Sequence, residues 1–92
     1  MNSTTRQRLE DMPPAQRAGI LCNDPRFQAF AAMRTGYPGK TFLPSAAAEY
    51  VRLTCGVNSR RLLNTNSAAA ERFAALLTEF DAHTGKIARP HR

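Results

Sequence analysis

The residues of this sequence best suited to chemistry are two adjacent arginines, Arg60 and Arg61, in a polar connector between two Ala-rich segments. A guanidinium group donates paired hydrogen bonds to phosphate or carboxylate oxygens. Because the chain must turn in this connector, we expect at least one of the two side chains to face solvent and contact phosphate. A neutral interpretation stays equally open, in which one arginine packs its stem on Leu62 or Leu63 and pairs with a nearby acid.

The end of the chain adds further positive charge. Three basic residues follow Asp81, which is the last acidic residue of the sequence. Without neighbouring carboxylates, this tail is free to reach a polyanion. The predicted nucleic-acid-binding surface therefore has five members: Arg60, Arg61, Lys86, Arg89 and Arg92.

The segment Gly36–Thr41 invites comparison with a phosphate-binding loop, because it contains two glycines followed by Lys40 and Thr41. A phosphate-binding loop has four residues between its glycines, which lets enough backbone N–H groups surround the phosphates. This segment has two, and it follows a predicted helix rather than a buried strand. The pattern therefore predicts a turn.

Metal-binding and catalytic patterns are not evident. Cys22, Cys55, His83 and His91 lack the short spacings that preform half of a zinc site. His83 falls in the last turn of a predicted helix, where an imidazolium interacts favourably with the helix dipole. We therefore predict no metal, no cofactor and no catalytic residue, and expect a protein that is not an enzyme.

The charge balance narrows the class of partner. Thirteen basic and seven acidic residues give a net charge of +6, and eleven of the basic residues are arginine. Such an excess favours nucleic acid, an anionic membrane surface or an acidic protein. A GC-rich coding sequence also produces many arginines and alanines regardless of function. No run approaches the roughly 18 apolar residues of a membrane span, so we predict no membrane partner.

The amino-terminal residues lack the apolar run of a signal peptide. We therefore expect a cytoplasmic protein in which Cys22 and Cys55 are reduced and buried as small apolar residues.

Helices must position the arginines, cysteines and histidines discussed above, because no alternating apolar pattern in the sequence indicates a strand. We predict an all-α fold, a compact bundle of about four to five short helices. The predicted organisation is a flexible arm at 1–12, a helical domain at 13–85 and a basic tail at 86–92. The predicted helices span 15–22, 25–34, 44–56 and 67–83, with a single turn ending near Leu63.

Apolar spacing predicts which side chains are buried. In the last helix the predicted buried stripe is Ala69, Phe73, Leu76, Leu77 and Phe80. In the third helix it is Ala47, Tyr50, Val51 and Thr54. Asp24 and Asn66 are expected to cap the second and last helices.

The connector also invites comparison with a DNA-binding helix-turn-helix, in which a Gly-centred turn leads into a recognition helix. Arg52 occupies the position four residues before Gly56, where that motif usually has a small residue. The helix that follows is predicted to last barely one turn. The pattern therefore does not favour this motif.

Several segments together resemble small proteins encoded by tailed phages and prophages, in early regions near replication and recombination genes. The resemblance spans 14–82 and rests on four stretches: 16–27 (QRAGILCNDPRF), Ala47-Ala48, 55–60 (CGVNSR) and Thr65-Asn66. It implies an accessory protein inside a bacterial host cell, acting on nucleic acid or on a host protein. It implies no catalytic residues.

We therefore predict a non-catalytic accessory protein that binds nucleic acid, as a recombination or replication helper. The alternative is a protein-binding module that inhibits or redirects a host or phage enzyme. A chain this short buries only about 60–65% of its surface on folding, which leaves a homodimer open.

Overall fold

The computed structural model describes residues 12–85. These residues form four α-helices and a short 3₁₀ helix, and they contain no strand. The helices are α1 (Pro14–Cys22), α2 (Pro25–Arg34), α3 (Pro44–Cys55), the 3₁₀ helix (Arg60–Asn64) and α4 (Ser67–His83). The predicted all-α bundle of four to five short helices is confirmed.

Local chemistry explains where the helices begin. Three of them begin with a proline, where the missing N–H costs no hydrogen bond. The carboxylate of Asp24 accepts a hydrogen bond from the backbone N–H of Arg26 at 2.9 Å and so caps α2. The side chain of Asn66 accepts one from the backbone N–H of Ala69 at 3.0 Å and so caps α4. Both predicted caps are confirmed.

Aromatic rings form the centre of the core. The rings of Phe27 and Phe80 meet edge-to-face with their centroids 5.3 Å apart, and Phe30 lies 5.4 Å from Phe80. This geometry is favourable beyond the burial of apolar area. Helix α4 buries four of the five residues of its predicted stripe, and Leu77 is half-buried. The last helix therefore forms one wall of the core, as predicted.

The buried stripe of α3 differs from the prediction. Thr54 is exposed, whereas Ala48 and Cys55 are buried alongside Ala47 and Val51. Helix α3 packs against α4, α1 and α2, and the side that meets these helices includes Ala48 and Cys55 rather than Thr54. This orientation points Leu53 away from the core, and 72% of its surface is exposed.

Both cysteines are buried and neither forms a disulfide. Gln28 is also buried, and its side-chain amide donates to the backbone oxygen of Cys22 at 2.9 Å. That hydrogen bond satisfies a carbonyl at the carboxyl end of α1 that would otherwise lack a partner. The sequence reasoning missed Gln28 because the spacing of apolar residues carries no information about buried polar groups.

Candidate nucleic-acid interface

The connector that carries Arg60 and Arg61 begins with a sharp reversal after α3. Gly56 adopts a left-handed conformation with φ of 74° and ψ of 33°, which glycine reaches without the steric penalty of a β-carbon. Ser59 then caps the 3₁₀ helix, its hydroxyl accepting from the backbone N–H of Arg61 at 3.3 Å. Leu63 is buried in the core. The connector is therefore held at both of its ends and in its middle.

The 3₁₀ helix lies antiparallel along α1. At one end, the side-chain oxygen of Asn64 accepts a hydrogen bond from the backbone N–H of Ala15 at 3.0 Å. At the other end, a β-carbon placed on Gly19 would lie 3.9 Å from Nη1 of Arg60. Pro13, at the N-cap position, has no side chain that can accept a hydrogen bond from the start of α1. Asn64, from a segment distant in sequence, accepts that hydrogen bond instead.

Arg60 is half-buried against α1. Its guanidinium lies over Gly19 and close to the thiol of Cys22. Burial raises the pKa of the Cys22 thiol, while a hydrogen bond and positive charge from Arg60, together with the charge of Arg52, oppose that rise. The guanidinium therefore lies beside a neutral thiol, and it makes no ion pair with a carboxylate among residues 12–85.

Arg61 is exposed on the outer side of the same 3₁₀ helix. Among the described residues no carboxylate pairs with it. The expectation that at least one of the two arginines faces solvent is confirmed. The neutral interpretation, with an arginine paired to a nearby acid, fits neither side chain within the described part of the chain.

A third arginine reaches the connector from α4. Nη1 of Arg72 donates to the backbone oxygen of Cys55 at 3.2 Å, where the negative end of the α3 dipole favours a cation. Burial raises the pKa of the Cys55 thiol, and the charge of Arg72 opposes that rise. The apolar spacing of α4 indicates only that Arg72 lies off the buried stripe of that helix. No local signal identifies a contact across 17 residues.

Elsewhere on the surface, basic residues are mostly neutralised. Among residues 12–85, three ion pairs join Arg26 to Asp24, Arg34 to Glu79 and Arg52 to Glu49, at 3.1, 3.0 and 2.7 Å. Residues 12–85 contain eight basic and five acidic side chains. Five of the basic side chains have no ion pair within that range: Arg17, Lys40, Arg60, Arg61 and Arg72. The last three of these lie at the connector.

Asp24 shows how such pairing affects a carboxyl group. Partial burial opposes its ionisation. The hydrogen bonds and the positive charge of Arg26 outweigh that effect and lower the pKa of the carboxyl. The charge of Arg26 is therefore neutralised by the residue that caps its own helix, whereas the arginines at the connector have no such carboxylate.

The glycine-containing segment after α2 forms a turn, as predicted. The backbone N–H of Lys40 donates to the carbonyl of Tyr37 at 3.2 Å, which closes the turn. The next helix, α3, begins only at Pro44, a residue without an N–H to offer a phosphate.

Three predicted site residues, Lys86, Arg89 and Arg92, lie outside the described residues, as do 1–11 of the predicted arm. Within 12–85, no three His, Cys, Asp or Glu side chains are grouped closely enough to hold a metal ion. No helix in the described range is long and apolar enough to cross a membrane.

Comparison of the chain with protein families, curated proteins and solved structures gives no match.

Proposed function

We propose that this chain is a non-catalytic accessory protein that binds nucleic acid through the phosphate backbone. One observation carries the proposal: Arg60 and Arg61 lie on the connector, Arg72 donates to the backbone oxygen of Cys55 at its start, and no carboxylate of residues 12–85 pairs with any of the three. Guanidinium groups without a paired carboxylate attract a polyanion, and the binding energy comes largely from released counterions.

The three arginines contribute differently. Arg61 is exposed and makes the direct phosphate contact. Arg60 and Arg72 are held against a neutral thiol and a backbone carbonyl, so they add positive potential without needing to move. Asn58 is exposed beside them and adds an amide donor without negative charge.

This mode of binding reads no base sequence. A five-residue 3₁₀ helix is too short to lie in a major groove and present side chains to base edges. Phosphate contacts position a protein without specifying sequence. A role in recombination or replication, and a phage origin, follow only from the resemblance and stay predictions.

The test is a titration of fluorescently labelled single-stranded DNA, duplex DNA and RNA with the full chain, over a series of salt concentrations. We expect the affinity of the wild type to fall steeply as salt rises. Arg61→Ala is expected to weaken binding to all sequences and to reduce the slope of log affinity against log salt by roughly 0.7–0.9. Arg60→Ala combined with Arg61→Ala is expected to flatten it further, with helicity unchanged.

Arg26→Ala is the matched control, because it also removes one guanidinium, but one already paired with Asp24. It is expected to leave the salt slope at the wild-type value. A wild type that binds none of the three nucleic acids at low salt contradicts the proposal. So does an Arg61→Ala slope equal to that of the wild type. Alanine substitution of Lys86, Arg89 and Arg92 tests separately whether the tail contributes.

The alternative, a module that binds a host or phage enzyme, stays a prediction. The feature that bears on it is an apolar groove on α3 beside the exposed side chain of Leu53. Its charge pattern favours a second copy of this chain over an enzyme.

A further inference from the structure

Helix α3 carries an exposed leucine beside half-buried apolar side chains. Leu53 is exposed, and Ala46 and Tyr50 lie on the same side at helical spacing, where both are half-buried and Tyr50 packs against the core. Next to Leu53 is a groove of about 210 Å³, lined almost wholly by apolar surface. Phe42 and Tyr37, from the loop before α3, also line it. We call these five residues the α3 face.

The α3 face combines a protrusion with a recess. Leu53 exposes 72% of its surface, whereas Ala46, two turns earlier on the same side of α3, is small and leaves room in the groove. An antiparallel pair of α3 helices related by a two-fold axis would bring each Leu53 over the groove of the other chain. Such an interface uses the same patch on both copies, as most symmetric dimers do.

The charges at the border of the α3 face are also self-complementary. Glu49 and Arg52 lie one turn apart and form an ion pair at 2.7 Å. In a two-fold antiparallel pair the same side of each helix meets, in reversed order along the axis. Glu49 of one chain therefore meets Arg52 of the other, and the four charges alternate in sign.

We infer that the α3 face is a homodimer interface, centred between Glu49 and Arg52, in which each Leu53 fills the partner's groove. The small size of the chain adds to this argument, because a domain of this length buries a limited share of its own apolar surface. The dimer does not depend on nucleic-acid binding, since the connector arginines take no part in it.

The test begins with sedimentation velocity of the full chain through the micromolar range, in moderate salt and without nucleic acid. A concentration-dependent dimer is expected. Leu53→Asp is expected to give a monomer with unchanged helicity. Ile20→Asp is the matched control, since Ile20 is also an exposed aliphatic residue, but on α1. It is expected to leave the dimer intact.

A charge exchange then tests the orientation. In the proposed dimer, position 49 of each chain meets position 52 of the other. A homodimer of Glu49→Arg, or of Arg52→Glu, therefore contains two like-charged pairs, and each variant is expected to weaken the dimer about tenfold. Mixing the two variants in equal amounts should restore a dimer near wild-type affinity, because each copy then meets the opposite charges of the other. Only contacts between chains predict this recovery, since neither variant can restore its own ion pair.

Three results would overturn the inference. They are a wild type that stays monomeric throughout the concentration range, a Leu53→Asp variant that dimerises as well as Ile20→Asp, and a mixture of charge variants no tighter than either alone. A monomer that forms a stable complex with a different protein through Leu53 would assign the α3 face to that partner and would likewise overturn the dimer.

Discussion

The guanidinium of Arg72, from α4, occupies the space that a β-carbon on Gly56, at the end of α3, would need. Nη1 of Arg72 donates to the backbone oxygen of Cys55 at 3.2 Å, and a β-carbon placed on Gly56 would lie only 2.9 Å from the same nitrogen. Glycine at position 56 therefore serves two purposes. It permits the left-handed end of α3, and it leaves space for the guanidinium that completes that end.

The first prediction is that Gly56→Ala and Arg72→Ala are energetically coupled. Gly56→Ala is expected to cost about 1–2 kcal/mol through its left-handed backbone, plus the loss of the displaced hydrogen bond. Arg72→Ala is expected to cost about 0.5–1.5 kcal/mol, because its hydrogen bond is partly open to solvent. The double variant should cost less than the sum of the two, as measured by urea denaturation.

Gly85 provides the control for this coupling. It has a similar positive φ of 83°, and a β-carbon there would meet nothing within 4 Å. Gly85→Ala should therefore show only the backbone cost and should add to Arg72→Ala without coupling. If Gly56→Ala is also simply additive with Arg72→Ala, the contact does not contribute to stability.

The second prediction is that Gly19→Ala stabilises the protein. Gly19 lies inside α1, and its added β-carbon would meet the guanidinium of Arg60 at 3.9 Å, an ordinary van der Waals distance. Alanine in a helix interior is favoured over glycine by about 0.5–1 kcal/mol. A gain of that size is expected in the free energy of unfolding. A loss would show that the guanidinium lies closer to α1 than described.

The third prediction concerns the core. Phe73 exposes 3% of its surface on the buried side of α4. Phe73→Ala is expected to cost about 3–5 kcal/mol, from lost burial and the cavity left behind, which is enough to unfold a domain this small. Thr54→Ala, at an exposed position of α3, should change stability by less than about 0.5 kcal/mol. A loss below about 1 kcal/mol for Phe73→Ala would contradict its placement in the core.

The fourth prediction is a loss of stability at alkaline pH. The pKa values of Cys22 and Cys55 are raised above the ordinary thiol value of 9.0 by burial. The unfolded chain therefore releases these protons at lower pH than the folded chain. The two protonated thiols therefore make their full contribution to the stability of the fold below pH 9. That contribution is lost as the pH rises through the pKa values of the folded state.

The measurement is the free energy of unfolding in urea between pH 7 and pH 10, under reducing conditions. The wild type should lose stability toward the upper end. Cys22→Ala should be less stable at neutral pH but show a shallower decline, because one titrating group is gone. Equal pH slopes in the two proteins would contradict the assignment of that decline to the buried thiols.

The sequence by itself determined the helices, because their signals are local. The prolines at first helical positions, the caps at Asp24 and Asn66, and the apolar spacing of α4 act within a turn or two of chain. The left-handed end of α3 at Gly56 follows for the same reason. The exposure of one connector arginine was also predictable, since adjacent residues in a short turn cannot both face the core.

Only the tertiary structure decided which side chains are exposed on the surface and which are packed against another element. Arg60 packs on α1, and Arg72 reaches across to Cys55, through contacts whose partners are far apart in sequence. Apolar spacing assigned Thr54 to the core, whereas the neighbours of α3 rotated that helix and left Leu53 exposed. Periodicity defines a helical stripe only to within a residue or so. The packing of the other helices selects which edge of that stripe is buried, and therefore which side chains remain to meet a partner.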